Sequence, residues 1–290
     1  MNVDLNLWQS LALAAIQGAT EFLPVSSSGH LVLARRLFGW SDAGGLLFDT
    51  VLHGGSLAAI LIYFWREWVS VFHAYFSKIA NGVNCHPRQL KFENRNLKIE
   101  SVAGTYYRRL PWLIIAATIP AVLAGPVLKP WLENDATARN AWVTGMSMIM
   151  TALLFLLAER RLAPSGRNIT FRNAIFVGCL QVVALLPGAS RSGWTAAGGI
   201  FSGQSRENAV RFAFFMAVPA IAGAIVFQGR EILAAPQTGF DPVFILSGFL
   251  MSFAASFGAI HFCLKFFRFN TLRPFAVYLM AVGIIALLIG

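Results

Sequence analysis

The chain has 290 residues, of which 57% are hydrophobic and 12% are charged, and its mean hydropathy is +0.62. Soluble domains carry about 25% charged residues, so this composition excludes an ordinary soluble fold, and it excludes disorder as well. Lys and Arg number 23 against 13 Asp and Glu, a formal charge of +10. In a membrane protein the distribution of Lys and Arg indicates the orientation in the membrane, and a positive net charge gives no reason to expect nucleic acid as a partner. The sequence therefore predicts a polytopic membrane protein.

Neither the N-terminus nor the cysteines indicate processing or cross-linking. No basic segment precedes the first apolar stretch, so we expect no cleavable signal peptide. The three cysteines are far apart and lack CxxC spacing, which favours small apolar packing residues over a disulfide framework or a metal site. They are Cys85, Cys179 and Cys263.

The first apolar stretch, residues 7–34, is interrupted at 22–30 by FLPVSSSGH, a run rich in Pro, Ser and Gly. Broken backbone at membrane depth is tolerated only inside protein or beside a wet cavity. We therefore predict a re-entrant helical hairpin that enters and leaves the membrane on one side. The stretch 173–203 is interrupted in the same way by LPGASRSGW at 186–194 and predicts a second hairpin.

Six further stretches approach the length of about 20 apolar residues that a membrane-spanning helix needs. They are 46–65, 111–128, 141–158, 211–227, 243–263 and 274–290. The connections 66–110, 159–172 and 264–273 are basic, and the positive-inside rule places them in the cytoplasm. Both chain ends then lie outside, and Arg35 and Arg36 are exceptions on the outer side. The secondary structure of 66–110 stays unassigned.

The two hairpins also indicate an internal repeat. Pro24 and Ser27 match Pro187 and Ser190 at a constant offset of 163, and a span follows each hairpin. An odd number of spans separates the two units, so the second is inverted relative to the first, as in many transporters. The predicted fold is thus all-α and polytopic, with six transmembrane helices plus two re-entrant helical hairpins in inverted repeats. One integral membrane domain, 1–290, would contain the first repeat, the second repeat and the basic cytoplasmic segment, at about 1–128, 141–290 and 66–110.

Few ionisable side chains lie inside the apolar stretches, and each is a functional candidate because an intramembrane charge is costly. They are Glu21, His30, Asp49, His53, Arg191 and His261. Asp49 and His53 are one helical turn apart, so they either pair with each other or line a pocket. His261 is expected to be a packed or interfacial histidine.

Glu21, His30 and Arg191 are the most informative candidates because all three belong to the broken hairpins. If the hairpins meet, they form one polar pocket with a cluster of hydroxyls from Ser26, Ser27, Ser28, Ser190, Ser192 and Thr195. The planar fork of an Arg matches phosphate oxygens, and Gly-rich turns offer backbone N–H groups to an anion. A Ser or a His can attack phosphorus, and a Glu can act as a base or hold a divalent cation. Ser and Gly also pack membrane helices together, so a structural role stays open for each.

Two segments carry a family resemblance. QGATEFLPVSSSGHL at 17–31 and LPGASRSGWT at 186–195 resemble the two signatures of the bacterial undecaprenyl pyrophosphate phosphatase family, also called the bacitracin-resistance protein family. The first position of the first signature is Glu or Gln in that family. Here it is Gln17, so a second carboxylate beside Glu21 is missing. The resemblance extends over nearly the whole chain and is weakest at 78–109.

The resemblance implies an enzyme that hydrolyses undecaprenyl pyrophosphate to undecaprenyl phosphate and inorganic phosphate. The product is a carrier lipid that returns to cell-wall peptidoglycan synthesis, and the activity contributes to bacitracin resistance. The resemblance further implies a divalent cation, Mg²⁺ or Ca²⁺, a polyprenyl pyrophosphate lipid as substrate, and an active site facing the outer side of the bacterial plasma membrane. The oligomeric state stays open, with a homodimer among the options.

The family's site residues carry over onto matching positions of this chain. Ser27 is the expected nucleophile, with Glu21 and His30 in support, and His30 as the nucleophile is the alternative. Glu21 and Gln17 are the expected ligands of the cation. The expected phosphate-binding residues are Arg191, Ser190, Ser192, Thr195, Ser26 and Gly188.

Two other functions compete with this interpretation. Phosphatidic-acid-phosphatase-type enzymes also have SGH and SR segments, but their nucleophilic His follows the Arg by four residues. Here that position is Thr195, and no His follows Arg191 before His261. A transporter or lipid flippase would suit inverted repeats, but transport alone would not require Glu21 and Ser27 to face an arginine.

Overall fold

The computed structural model describes residues 6–40, 45–80, 99–132, 134, 140–161, 168–234 and 242–289. These residues form eleven α-helices and no strand, which confirms the predicted all-α membrane fold. In chain order the helices are α1 (Leu7–Phe22), α2 (Ser27–Leu37), α3 (Gly45–Tyr63), α4 (Trp65–Ala80), α5 (Ile99–Leu132), α6 (Ala141–Arg160), α7 (Phe171–Val183), α8 (Arg191–Phe201), α9 (Arg206–Ala234), α10 (Pro242–Phe266) and α11 (Arg273–Ile289).

Five helices are long and apolar enough to cross a membrane, namely α3, α5, α6, α9 and α10. They coincide with five of the six predicted spans. The sixth, α11, has 17 residues and is shorter than the usual span of about 20 residues. The secondary structure of the basic segment 66–110 could not be predicted from the sequence. It contains most of α4, which follows α3 almost directly, and the first residues of α5. Cys85 lies outside the described residues.

Each predicted hairpin is present as two helices separated by a break, and its entry into the membrane from one side stays a prediction. Helix α1 ends because Leu23, which precedes a proline, is extended with ψ of 140°. Helix α2 then begins behind Ser26, whose Oγ accepts the N–H of Gly29 at 3.3 Å. In the second hairpin Ser190 caps α8 in the same way, with its Oγ accepting the N–H of Gly193 at 3.1 Å.

The two helix starts differ slightly from the register that the sequence predicts. The capping residues are Ser26 and Ser190, so Ser27 corresponds structurally to Arg191, one residue beyond the predicted match of Ser27 with Ser190. The inverted relation between the two halves stays a prediction.

Small residues allow the helices around the hairpins to pack closely. A Cβ atom on Gly55 would lie 2.5 Å from the backbone oxygen of Phe249, so α3 and α10 meet there through bare backbone. Beside this contact, Ser256 Oγ donates to Gly18 O at 3.1 Å and lies 2.9 Å from Ser56 Oγ. Helix α1 of the first hairpin is therefore packed closely against α10, which in turn packs closely against α3.

A buried carboxylate ties three helix ends together on the opposite half of the chain. Glu159, near the end of α6, accepts two hydrogen bonds from Arg206 at the start of α9, one of them 2.9 Å long from Nε. It also accepts the backbone N–H of Leu272, just before α11, at 2.8 Å. The Glu159 side chain is only 3% exposed, so this ion pair is well shielded.

The two breaks lie against each other. Ser192 Oγ, on α8, donates to the carbonyl of Leu23 in the first break at 3.1 Å. The N–H of Gly188 in the second break makes a long hydrogen bond of 3.5 Å to Ser28 Oγ on α2. The predicted meeting of the hairpins is thereby confirmed, and it brings their polar residues to one place.

Candidate active site

Glu21 joins the two hairpins. Its side chain, near the end of α1, is 8% exposed. Oε2 accepts hydrogen bonds from Gln17 Nε2 at 2.9 Å and from Ser27 Oγ at 2.7 Å, while Oε1 accepts one from Arg191 Nη2. Gln17 reaches the carboxylate because it lies one helical turn earlier on the same face of α1. A single carboxylate thus contacts residues from both predicted signatures.

The N-termini of two helices meet at this carboxylate. Ser27 is the first residue of α2 and Arg191 is the first residue of α8, and each helix has 11 residues. The aligned peptide dipoles give each N-terminus a partial positive charge and leave backbone N–H groups pointing outward. Such a pair of helix starts can bind an anion between them.

Backbone conformation shapes both breaks. Ser26 has φ of +73°, and it is the one non-glycine residue with positive φ among the residues that the structure describes. This conformation is costly for a residue with a Cβ atom and is found mostly at functional sites. Gly188 has φ of +85° in the second break and lies directly against the backbone of Thr144, so no side chain would fit there.

Arg191 has one terminal nitrogen bound and the other open. Its Nη2 donates to Glu21, whereas Nη1 is buried and has no hydrogen-bond partner among the described residues. A buried N–H group without a partner costs free energy. The open donor lies on the same planar guanidinium that holds Glu21, so it can receive an oxygen atom of an anionic ligand next to that carboxylate.

His30 lies beside the pocket with both ring nitrogens engaged. Nδ1 is 2.7 Å from the carbonyl oxygen of Ser26, and since a carbonyl can only accept, Nδ1 carries a hydrogen. Nε2 is 2.7 Å from the hydroxyl of Tyr278, whose ring stacks on the imidazole at 5.6 Å. In the neutral ring the Nε2 lone pair accepts that hydroxyl. The structure therefore pairs Ser27 with Glu21 and pairs His30 with Tyr278.

The predicted phosphate-binding hydroxyls fall into two groups. Ser192 and Thr195 donate to backbone carbonyls, at 3.1 Å and 2.8 Å respectively, which satisfies their hydrogens inside the fold. Ser26 and Ser190 accept backbone N–H groups as helix caps. The Ser190 hydroxyl also donates to Ser192 Oγ at 3.3 Å, because Ser192 uses its own hydrogen on Leu23, and Ser26 Oγ lies 3.4 Å from Ser28 Oγ. Their role as phosphate ligands stays a prediction, as does that of Gly188.

The sequence allowed Asp49 and His53 either to pair with each other or to line the pocket, and the structure shows that their side chains do not pair. The Asp49 carboxylate does not pair with the His53 side chain, because it accepts two hydrogen bonds from Arg35, at 2.6 Å and 3.1 Å. His53 Nδ1 lies 2.8 Å from the Asp49 carbonyl instead, and its Nε2 lies 4.0 Å from Glu21 Oε2. His53 is thus part of the pocket wall. His261 lies 3.1 Å from the hydroxyl of Tyr63 and is exposed, so it is not packed in the core, and its interfacial position stays a prediction.

Comparison with known proteins matches the chain to one family. The family model described as "Bacitracin resistance protein BacA" matches residues 10–285. The chain belongs to the BacA family. It is also 36% identical over 287 residues to a protein of Myxococcus xanthus (strain DK1622) named undecaprenyl-diphosphatase, which covers 98% of this chain and 89% of that protein. The resemblance predicted from the two signature segments is therefore confirmed.

The donor atoms of this BacA-family site are few for a divalent cation. The described residues contain no group of three or more His, Cys, Asp and Glu side chains that could hold a metal ion. Gln17 is fully buried, and its Oε1 has no hydrogen-bond partner among those residues. Gln17 Oε1 and the Glu21 carboxylate therefore fit a cation that brings further oxygen ligands with it.

Proposed function

We propose that this chain hydrolyses undecaprenyl pyrophosphate to undecaprenyl phosphate and inorganic phosphate. Membership of the BacA family and the similarity to an undecaprenyl-diphosphatase support this function. The observation that carries it is the contact of Ser27 and Arg191 with the same carboxylate, Glu21. A hydroxyl, a base and a guanidinium are the groups that pyrophosphate cleavage needs. The product returns to cell-wall synthesis, and the loss of the pyrophosphate form contributes to bacitracin resistance.

Ser27 is the proposed nucleophile. A serine hydroxyl is weakly nucleophilic and needs a base within hydrogen-bond reach, and Glu21 Oε2 lies at 2.7 Å. Glu21 takes the proton as Ser27 Oγ forms a bond to the terminal phosphorus. The bond from that phosphorus to the bridging oxygen breaks, and undecaprenyl phosphate leaves. Water then attacks phosphoryl-Ser27, inorganic phosphate departs, and Glu21 returns the proton to Ser27.

His30 suits a positioning role in this scheme. Its Nδ1–H is bound by Ser26, and its Nε2 lone pair is bound by Tyr278, so the imidazole would have to break a hydrogen bond before it could attack. Through Ser26 it also fixes the residue directly before the nucleophile. These contacts favour Ser27 over His30 as the group that forms the covalent bond.

Charge neutralisation comes from three sources in the proposal. Arg191 Nη1 is an open donor beside the nucleophile, and the N-termini of α2 and α8 add partial positive charge. Mg²⁺ or Ca²⁺ supplies further neutralisation of the pyrophosphate when it is bound, with Gln17 and Glu21 as the residues that would hold it. Donors of this kind can stabilise the charge that develops on the transferring phosphoryl group.

We further propose that the site faces the outer side of the bacterial plasma membrane. The basic connections of the chain favour the cytoplasmic side under the positive-inside rule. The first hairpin then begins and ends outside, because one predicted span, 46–65, separates it from the basic connection 66–110. The polyprenyl chain of the substrate would lie among the apolar, exposed side chains of the spanning helices.

Phosphate release by the purified protein in detergent tests the function. The substrate is a C55 pyrophosphate, and the matched variants are Ser27→Ala and Ser28→Ala. We expect release by the wild-type protein and by Ser28→Ala, and loss of release in Ser27→Ala. Absence of release by a folded wild-type protein that still moves the lipid across a bilayer would favour a flippase instead.

A further inference from the structure

We propose that this chain takes up its divalent cation together with the pyrophosphate and does not hold one in the resting state. The proposal rests on the proposed function. It concerns the position of Gln17, where the chain has an amide in place of a second carboxylate, and the ion pair between Glu21 and Arg191.

The carboxylates around the site are each compensated by an arginine, so the site has no net negative charge that would attract a free dication. The negative charge of Glu21 is compensated by the guanidinium of Arg191 in direct contact with it. The nearby Asp49 carboxylate is held by both terminal nitrogens of Arg35. His53, at 4.0 Å from Glu21, adds no negative charge. A dication placed beside Glu21 would also be repelled by the adjacent guanidinium.

The lone pairs of Glu21 are largely occupied as well. A carboxylate offers about four lone-pair sites, and donors from Gln17, Ser27 and Arg191 use three of them. About one site therefore stays open, so Glu21 can offer a cation only a single lone pair, and a second contact would displace a donor and leave it buried without a partner, which costs free energy.

Gln17 provides an open ligand atom beside Glu21. Its Oε1 is buried and has no hydrogen-bond partner among the described residues, while its Nε2 holds Glu21 in place. An amide oxygen is neutral, so it can complete a coordination sphere but attracts a dication weakly by itself. Mg²⁺ is usually bound through one or two carboxylates plus substrate phosphates, with water in the remaining positions.

The arrival of pyrophosphate changes this balance. Its oxygens can accept from Arg191 Nη1, which draws the guanidinium's charge toward the ligand, and they supply the negative charge that a dication needs. Glu21 and Gln17 can then contribute oxygens to a cation that the pyrophosphate already carries. The amide at position 17 thus makes cation binding conditional on substrate.

Equilibrium dialysis of the purified protein in detergent against Mn²⁺ tests this order. The probe ligand is methylenediphosphonate, a pyrophosphate analogue that cannot be hydrolysed, and excess Mn²⁺ on the protein side measures binding. We expect the wild-type protein to retain no excess Mn²⁺ alone and to retain a stoichiometric amount with methylenediphosphonate. Gln17→Glu should retain Mn²⁺ without the ligand, and so should Arg191→Gln, since each variant leaves a net negative charge at Glu21.

Gln204→Glu is the matched control. Gln204 is also buried with an unpartnered Oε1 among the described residues, but it lies beyond the opposite end of α8 from Arg191, about 15 Å along the helix axis. It should retain no Mn²⁺ alone. Thermal unfolding of each variant checks that it is folded.

Three results would overturn the inference: stoichiometric Mn²⁺ binding by the wild-type protein alone, no gain of binding in Gln17→Glu, or no binding by the wild-type protein with methylenediphosphonate. Phosphate release by the same preparation is measured separately. A protein that releases phosphate yet binds Mn²⁺ alone contradicts only the order of binding, whereas a protein that releases none contradicts the proposed function.

Discussion

Ser27 Oγ donates a hydrogen bond of 2.7 Å to Glu21 Oε2, across the break between α1 and α2. The next residue, Ser28, is directed elsewhere, because successive side chains on a helix lie about 100° apart. Its Oγ lies 3.4 Å from Ser26 Oγ and accepts a long hydrogen bond from Gly188. Two adjacent serines therefore have different surroundings, and only one of them touches the proposed base.

Substitution of the two serines should separate their roles. Ser27→Ala removes the attacking oxygen and should lower turnover at least about a thousandfold. Ser28→Ala loses two long, weak hydrogen bonds and should stay within about tenfold of the wild-type rate. Phosphate release and thermal unfolding are measured on both proteins. An inactive Ser28→Ala beside an active Ser27→Ala would refute this placement.

The contact of His30 with Tyr278 gives a test of the nucleophile itself. Tyr278→Phe keeps the stacked ring but frees the Nε2 lone pair, and it should change turnover by less than about tenfold if Ser27 attacks. The covalent intermediate, trapped in a single turnover, should then be stable to acid and labile to alkali, as phosphoserine is. An acid-labile intermediate, together with activity in Ser27→Ala and none in His30→Ala, would identify the imidazole as the nucleophile.

The sequence predicts the hairpins well because their signals are local. Pro, Gly and Ser interrupt an apolar stretch, and the helices end and restart at those residues. Glu21 and Arg191 stand out for a similar reason, since an ionisable side chain in an apolar stretch is costly and rarely accidental. That the two residues touch follows from the predicted meeting of the hairpins.

Contacts between distant helices could not be predicted in this way. A single tyrosine in the apolar α11 gives no sign that it bonds to His30, 248 residues away in the chain. The helical spacing made His53 a possible partner of Asp49, but the two terminal nitrogens of Arg35 bind the Asp49 carboxylate instead. Which side chains pair depends on which helices are neighbours, and hydrophobic periodicity does not determine that.

The Glu159 ion pair should contribute strongly to stability. Glu159→Gln removes the charge that compensates Arg206 in a site where the carboxylate is 3% exposed, and breaking such a buried pair costs about 3 kcal/mol or more. The free energy of unfolding in detergent should fall accordingly, whereas phosphate release per folded molecule should not change. Glu231→Gln is the matched control, because the side chains of Glu231 and Lys129 are 40% and 34% exposed and their pair should contribute less than about 1 kcal/mol. Equal losses in the two variants would contradict this assignment.

Cysteine labelling of intact cells tests the orientation. If the basic connections are cytoplasmic, Asn134→Cys in a Cys85→Ser background should react with a membrane-impermeant thiol reagent added outside. The native Cys85 should react only after the membrane is permeabilised. Labelling of Cys85 in intact cells would reverse the proposed topology and would move the site to the cytoplasmic side.

Arg191 should not be replaceable by lysine. Its guanidinium donates to Glu21 through Nη2 and presents Nη1 as an open, buried donor in the same plane. It can therefore hold the base and a phosphate oxygen at once. The donors of a lysine radiate from one nitrogen and cannot reproduce that planar fork.

Arg191→Lys should accordingly lower turnover about a hundredfold or more, even though the positive charge is kept. The matched control is Arg35→Lys, since Arg35 binds a carboxylate on α3 with the same fork but does not touch Glu21. That variant should lose some stability and retain most of its phosphate release. Near wild-type turnover in Arg191→Lys would show that charge alone suffices at this position. The two-sided contact of the guanidinium would then be structural, and the phosphate would have to be bound mainly by the helix N-termini and the cation.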